Sequence, residues 1–495
     1  MNIKKELINT KKNLFARFFV LIIIFSIVLP TTLPIEQNDT VFAAKKKSKS
    51  TKKKSKRKSS NSTTKGISKS EHTFLLDTIL ESGIYYKHII INLNNQKNDV
   101  HILQVDLNNK KTNIEVIKAG NNIVDLEKLP DMVNNVDSSN SNIIVGAINA
   151  NFWRAYTNYP IGPTIVNGEV VEMPTHKKWS STFFNDVGKP FMENFVLQGE
   201  VILKNNNRFN LMSVNRRSDT NGIVLYNRFG GDTIPYIDAA KVEELLLKGL
   251  DNVLLDVPFD DSTEQAISLD TYRAELFNAQ KASMIEYGLK KVTLKYLDVP
   301  YVNAFVNCEV VSIDTGSVEI KPGHCILSFG KDIDVNKILG IGDKLNVHFW
   351  TNVNESELFL NSVSGTPRLV RDGIAQHEAY REGSKSKRFI SGALPRTAIG
   401  FDKLKTKMFL VVVDARKLNG TCGVGLSQLA DLMEYIGCYS AQNLDGGGST
   451  TMVINGKNIL NSNNPYTSRK LSVALTAVSL KKEKAPLSTK KRKRK

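Results

Sequence analysis

The feature that most constrains this chain is a succession of elements between residues 408 and 460. Met408-Phe-Leu-Val-Val-Val413 is continuously apolar, as a strand covered on both faces must be. Leu426, Leu429, Ala430, Leu432, Met433 and Ile436 then recur at i, i+3 and i+4, which predicts an amphipathic helix that Gly437 stops. A short segment ends in Asn443-Leu-Asp445, three glycines follow, and Thr450-Thr-Met-Val-Ile454 turns at Asn455-Gly456 into Lys457-Asn-Ile-Leu460. The order is strand, helix, strand, glycine turn, hairpin.

Upstream segments alternate apolar and polar residues, as strands with one buried face do. Examples are His101-Ile-Leu-Gln-Val-Asp-Leu107, Glu309-Val-Val-Ser-Ile313 and Leu345-Asn-Val-His-Phe-Trp350. Ile143 to Ile148 is an apolar run, Asn167-Gly168 predicts a type I′ hairpin, and a last strand is expected over Ser472 to Ser479. Residues 239–290 switch to helical spacing. The fold class expected is α+β (mixed α/β): a central mixed sheet with flanking helices, plus inserted helical and β-rich segments. At 41% hydrophobic and 23% charged, the 495 residues can bury a large core, which excludes collagen, coiled coil and a wholly disordered chain.

The formal net charge of +18 suggests a nucleic-acid binder until it is located. Residues 45–58 carry +10, the last six residues +6 and residues 1–44 +2, so the body from 59 to 489 is formally neutral. The N-terminus has a basic stretch, then Phe18 to Leu29, then Val41-Phe-Ala43. Twelve apolar residues span roughly 18 Å, short of a bilayer core of roughly 30 Å, so the pattern reads as a secretory signal peptide. An uncleaved membrane anchor is the alternative. Export makes nucleic acid a poor partner and makes the basic tails a strap for anionic wall polymer or a membrane surface. A solvated spacer is the plainer reading of the same residues. The expected plan is a signal over 1–44, a basic linker over 45–72, a β-rich segment over 73–140, a main domain over 141–480 and a basic tail over 481–495. Within the main domain, 235–290 is expected to be helical and 292–350 β-rich.

The four cysteines, Cys308, Cys325, Cys422 and Cys438, form no C-x-x-C pair. Cys422 and Cys438 flank a helix and lie too far apart for a bridge. Cys308 and Cys325 could pair across a hairpin or remain buried thiols.

Three glycines after an acidic strand end permit positive φ and close ligand approach, and Gly446, Gly447 and Gly448 could form an anion nest. Arg396, beside Thr397, could add a guanidinium fork. Asn149, Asn151, Phe152 and Trp153 put amides and aromatics at the end of an apolar run, a set suited to a sugar. Each has a plainer reading: a capped turn, a surface ion pair, a strand exit. His377-Glu378 lacks the second histidine of a zinc-protease helix, and Gly420 to Gly425 lies too far from its strand for a dinucleotide turn.

Together these motifs resemble the phosphodiester glycosidase family. Asn149 and Phe152 match its N-G-G-F, with Ala150 and Asn151 departing. Ile161-Gly-Pro-Thr-Ile-Val-Asn-Gly168, Pro395-Arg-Thr-Ala-Ile-Gly400, Val411-Val-Val-Asp-Ala-Arg416 and Asn443-Leu-Asp-Gly-Gly-Gly-Ser-Thr-Thr451 follow in order. The family includes the enzyme that removes N-acetylglucosamine from a mannose 6-phosphate diester. The resemblance implies a secreted hydrolase releasing an N-acetylglucosamine-like sugar from a sugar-1-phosphodiester, in cell-wall polymer or exopolysaccharide. Asp445, Arg396 and Asp414 would be its catalytic residues. Asn149, Asn151, Phe152, Gly446, Gly447, Gly448, Ser449, Thr450, Thr397 and Arg416 would bind substrate. No cofactor is implied; a divalent cation near Asp445 is conceivable, with no spacing that argues for one. The alternative is a non-catalytic protein that binds or remodels the same polymers.

Overall fold

The computed structural model describes residues 72–93, 95–137, 142–154, 157–235, 259–260, 265–266, 285–415, 422–460 and 469–480. The expected signal, basic linker, basic tail and nearly all of the expected helical segment lie outside them.

Two antiparallel sheets lie at the centre. The first orders its strands β1-β2-β3-β9-β8-β10-β6-β7. These are β1 (His72–Glu81), β2 (Ile84–Leu93), β3 (Gln96–Asp106), β6 (Arg368–Arg371), β7 (Ile374–Ala375), β8 (Arg396–Phe401), β9 (Lys407–Asp414) and β10 (Ser440–Asn443). The second is ordered β12-β11-β5-β13-β4. It comprises β4 (Thr112–Lys118), β5 (Ile143–Asn149), β11 (Met452–Ile454), β12 (Lys457–Asn458) and β13 (Val473–Ser479).

β9 is apolar from Met408 to Val413 because both of its faces are covered. Met408, Leu410 and Val412 pack with Ile114, Val116, Ile148 and Leu475 of the second sheet. Phe409, Val411 and Val413 pack with the helix α3 (Leu426–Tyr435) and with Phe389 and Ile390 of the short helix α2 (Lys387–Ser391). Helix α1 (Leu129–Asp137) closes the outer face of the second sheet through Leu129, Met132 and Val133. Gly437, at φ +102°, ends α3 where the sequence places the stop. Asn167-Gly168 and Asn455-Gly456 all have positive φ, as type I′ turns require.

The expected α+β class with a central mixed sheet and flanking helices is overturned. The chain is mostly β, and both central sheets pair antiparallel throughout. Helix α3 links β9 to β10, but β8 lies between them, so no parallel pair forms.

A third sheet joins Thr164–Val166, Glu169–Glu172, Ser180–Asn185, Pro190–Glu193 and Phe359–Gly365. Between Glu193 and Phe359 the chain leaves this sheet and builds a closed seven-stranded barrel. Its strands are Leu197–Leu203, Arg208–Val214, Ile223–Tyr226, Lys290–Tyr296, Phe305–Asp314, His324–Phe329 and Lys344–Thr351. Cys308 and Cys325 are buried free thiols on strands that both flank Lys290–Tyr296, so they do not share a hairpin.

Candidate active site

The apolar run of β5 carries Asn149 to the edge of the first sheet, where it is 1% exposed. Its Nδ2 donates to the Asp445 carbonyl at 2.6 Å. Its Oδ1 accepts from Thr397 Oγ1 at 2.7 Å and from the Thr451 amide at 3.1 Å. One side chain thus ties together β5, β8 and both ends of the glycine segment. Asn151 does the same one layer away. It donates to Thr164 Oγ1 at 2.8 Å and accepts from the Ser364 amide at 3.1 Å. Both amides face protein.

Phe152 does face a pocket. It meets Trp179 edge-on at 5.4 Å and Phe389 at 6.3 Å, and with Lys177, Thr366 and Ser384 these rings line a small hollow. One lining residue, Thr366, accepts at its carbonyl from Asn443 Nδ2 at 2.6 Å. Beneath it, Glu382 accepts from Thr366 Oγ1 at 2.8 Å, Ser180 Oγ at 3.2 Å and the Arg368 amide at 2.8 Å. Burial raises the Glu382 pKa above the ordinary carboxylate value.

Asp445 is held at both ends. Its amide donates to the Ala150 carbonyl at 3.0 Å, and its Oδ1 accepts from the Gly446 amide at 2.9 Å. Gly447, at φ +57°, starts a 3₁₀ turn and donates to the Pro395 carbonyl at 2.9 Å. Two of the three glycine amides therefore point into the protein, and an anion nest has at most the Gly448 amide to offer.

The next three residues are different. Ser449 Oγ, Thr450 Oγ1 and Thr451 Oγ1 are buried, with no hydrogen-bond partner among the described residues. Buried hydroxyls are rarely left so, and here three follow in succession.

Arg396 opens β8 and is 2% exposed. Its Nε donates to the Val424 carbonyl at 3.0 Å, and its Nη2 to those of Phe389 at 2.6 Å and Gly392 at 3.3 Å. Its stem runs under the glycine turn, so a Cβ on Gly446 would lie 3.9 Å from Arg396 Cδ. The guanidinium anchors the loops around Phe389 and adds positive charge beneath the turn. With burial, that charge lowers the pKa of His377.

Asp414 ends β9 directly opposite Asp99 on β3. Arg416 lies outside the described residues. Asp99 belongs to a group that motif spacing does not show: His88 Nε2 is 2.5 Å from its Oδ1, and His101 is paired in register with His88. Only Asp99-x-His101 was visible in the sequence, as two same-face positions of an alternating strand.

Residues 301–478 match the family model described as phosphodiester glycosidase. The matched segment is therefore similar to phosphodiester glycosidases. A curated relative is the N-acetylglucosamine-1-phosphodiester alpha-N-acetylglucosaminidase of Bos taurus, 33% identical over 106 residues. That alignment covers 20% of this chain and 20% of the relative, so the match spans about a fifth of its length. Among solved structures, a hypothetical protein from Synechocystis aligns with a TM-score of 0.53 at 18% identity, over 80% of this chain and 62% of that one. This is a likeness of fold. The zebrafish N-acetylglucosamine-1-phosphodiester alpha-N-acetylglucosaminidase catalytic domain, auto-inhibited by its pro-peptide, aligns with a TM-score of 0.37 at 13% identity, over 83% and 88% of the two chains. The matched segment contains Arg396, Thr397, Asp414 and Asp445 to Thr451. Asn149, Asn151 and Phe152 lie outside it, and the hydrogen bonds of Asn149 tie β5 to its glycine turn. The His88–Asp99–His101 group also lies outside it.

Proposed function

We propose that this protein is a secreted hydrolase that releases an N-acetylglucosamine-like sugar from a sugar-1-phosphodiester of wall polymer or exopolysaccharide. The observation that carries the reading is the junction of Asp445, held by the Gly446 amide, with the unpaired hydroxyls of Ser449, Thr450 and Thr451 in the segment that matches the family. In this reading Asp445 is nucleophile or general base at the anomeric carbon. The three hydroxyls receive the phosphoryl oxygens, Arg396 stabilises that charge through its field, and the sugar ring lies against Phe152, Trp179 and Phe389.

A departing phosphate monoester has a second pKa of about 6, so it can leave largely unprotonated. That removes the need for the raised-pKa acid that ordinary glycosidases place opposite their nucleophile. Glu382, whose pKa is raised, fits poorly as that acid because three protein donors hold it in place. The test is a panel of sugar-1-phosphodiesters and teichoic-type polymers assayed for free reducing sugar. Release from at least one diester is expected. Saturable binding of such polymers with no release from any would leave the chain a binding protein.

A further inference from the structure

Away from the pocket and the glycine turn, the tightest convergence of metal-ligating groups is His88 on β2 with Asp99 and His101 on β3. Register sets it: His88 lies directly opposite His101, and Asp99 lies two residues before His101 on the same face. His88 Nε2 stands 2.5 Å and His101 Nε2 3.5 Å from Asp99 Oδ1. The two imidazoles stack with centroids 4.2 Å apart and planes inclined by 17°. One ligand atom from each of the three residues lies within 4.8 Å of the other two.

A further observation points to a cation. His101 Nδ1 contacts Tyr86 Oη at 2.7 Å, the kind of outer contact that fixes the orientation and tautomer of a metal-binding imidazole.

We propose that His88, Asp99 and His101 bind one divalent transition-metal ion of the zinc class, with Tyr86 as the outer partner of His101. Two imidazoles and one carboxylate form a borderline donor set that suits zinc or cobalt and suits calcium or magnesium poorly. Three protein ligands leave a position for water or a substrate oxygen. The His88 side chain, 24% exposed, marks the side from which the ion enters.

The test is metal binding by the tag-free full chain and does not depend on the proposed reaction. Titration with Co²⁺ should give one equivalent bound with visible d–d absorption, displaced by Zn²⁺. His88→Ala, at a partly exposed position, should fold and weaken binding more than about 100-fold, and Asp99→Asn should act likewise. Tyr86→Phe should keep the spectrum and weaken binding about 10-fold. His324→Ala, at the start of the barrel strand His324–Phe329, should change nothing. Undiminished binding in His88→Ala, no Co²⁺ absorption in the native chain, or thermal stabilisation by Ca²⁺ but not Zn²⁺ would each overturn the assignment.

Discussion

Asn149 shows how a residue type can fit two roles that only its hydrogen bonds separate. At a strand end beside aromatics it suits a sugar ligand, yet its amide bonds three protein partners, one on β8 and two at the ends of the glycine segment. Replacing it with alanine strands the Asp445 carbonyl, the Thr397 hydroxyl and the Thr451 amide in a buried place. Asn149→Ala should therefore lower unfolding stability by about 2–4 kcal/mol in urea denaturation. A loss below about 0.5 kcal/mol together with a raised KM would return the amide to the substrate. Arg396 teaches the same lesson: its guanidinium was legible as a functional cation, but not its bonds to three backbone carbonyls.

At the scale of elements, what local chemistry determines was legible. The two Asn-Gly turns, α3 with its glycine stop, and the covered strand β9 all follow from side-chain pattern and φ preference. Long-range pairing was not. The barrel closes by joining Leu197–Leu203 to Lys344–Thr351, and nothing local in either strand names the other. The His88–Asp99–His101 group escaped for the same reason, since it exists only in the register of β2 on β3.

One element offers a pH test. Glu172, on the hairpin strand Glu169–Glu172, is wholly buried, and burial pushes its pKa up to about 7 against the opposing pull of Arg216 and Arg154. Its Oε1 accepts from Arg216 at 2.7 Å, while its Oε2 is buried without a partner among the described residues. The folded chain then holds a proton that the unfolded chain, with a carboxyl pKa of about 4.3, has released. The stability this provides is full below about pH 4.3 and is lost as pH rises through about 7. Relative to the native chain, Glu172→Gln should gain on the order of 3 kcal/mol between pH 4.5 and 7.5. A difference that does not change with pH would mean that the carboxyl is ionised in the fold.

At the scale of the whole molecule, the site edge draws on both ends of the described residues: β2 and β3 join β9, β8 and β10 in one sheet, and Asn149 of β5 bonds Thr397 of β8. The barrel is an excursion from the third sheet between residues 193 and 359. A match to 301–478 therefore starts inside the barrel and omits half the residues at the edge. The charged tails are separable from this body by charge alone, because residues 59–489 are formally neutral. Deleting residues 45–65 and 490–495 should leave turnover of a small soluble diester unchanged. It should also abolish most of the salt-dependent retention on anionic polymer, read across a salt titration. Retention that keeps its salt dependence would place the polymer contact on the body instead.

The central claim is that Asp445 does chemistry at an anomeric carbon rather than capping a turn. Its most direct test is kcat for sugar release by Asp445→Asn, measured beside substrate affinity and Tm. The asparagine is nearly isosteric but is neither nucleophile nor base. The account predicts a fall in kcat of more than about 10³, with affinity and Tm close to native. A variant that melts early by the equivalent of about 1 kcal/mol yet turns over at the native rate would contradict it.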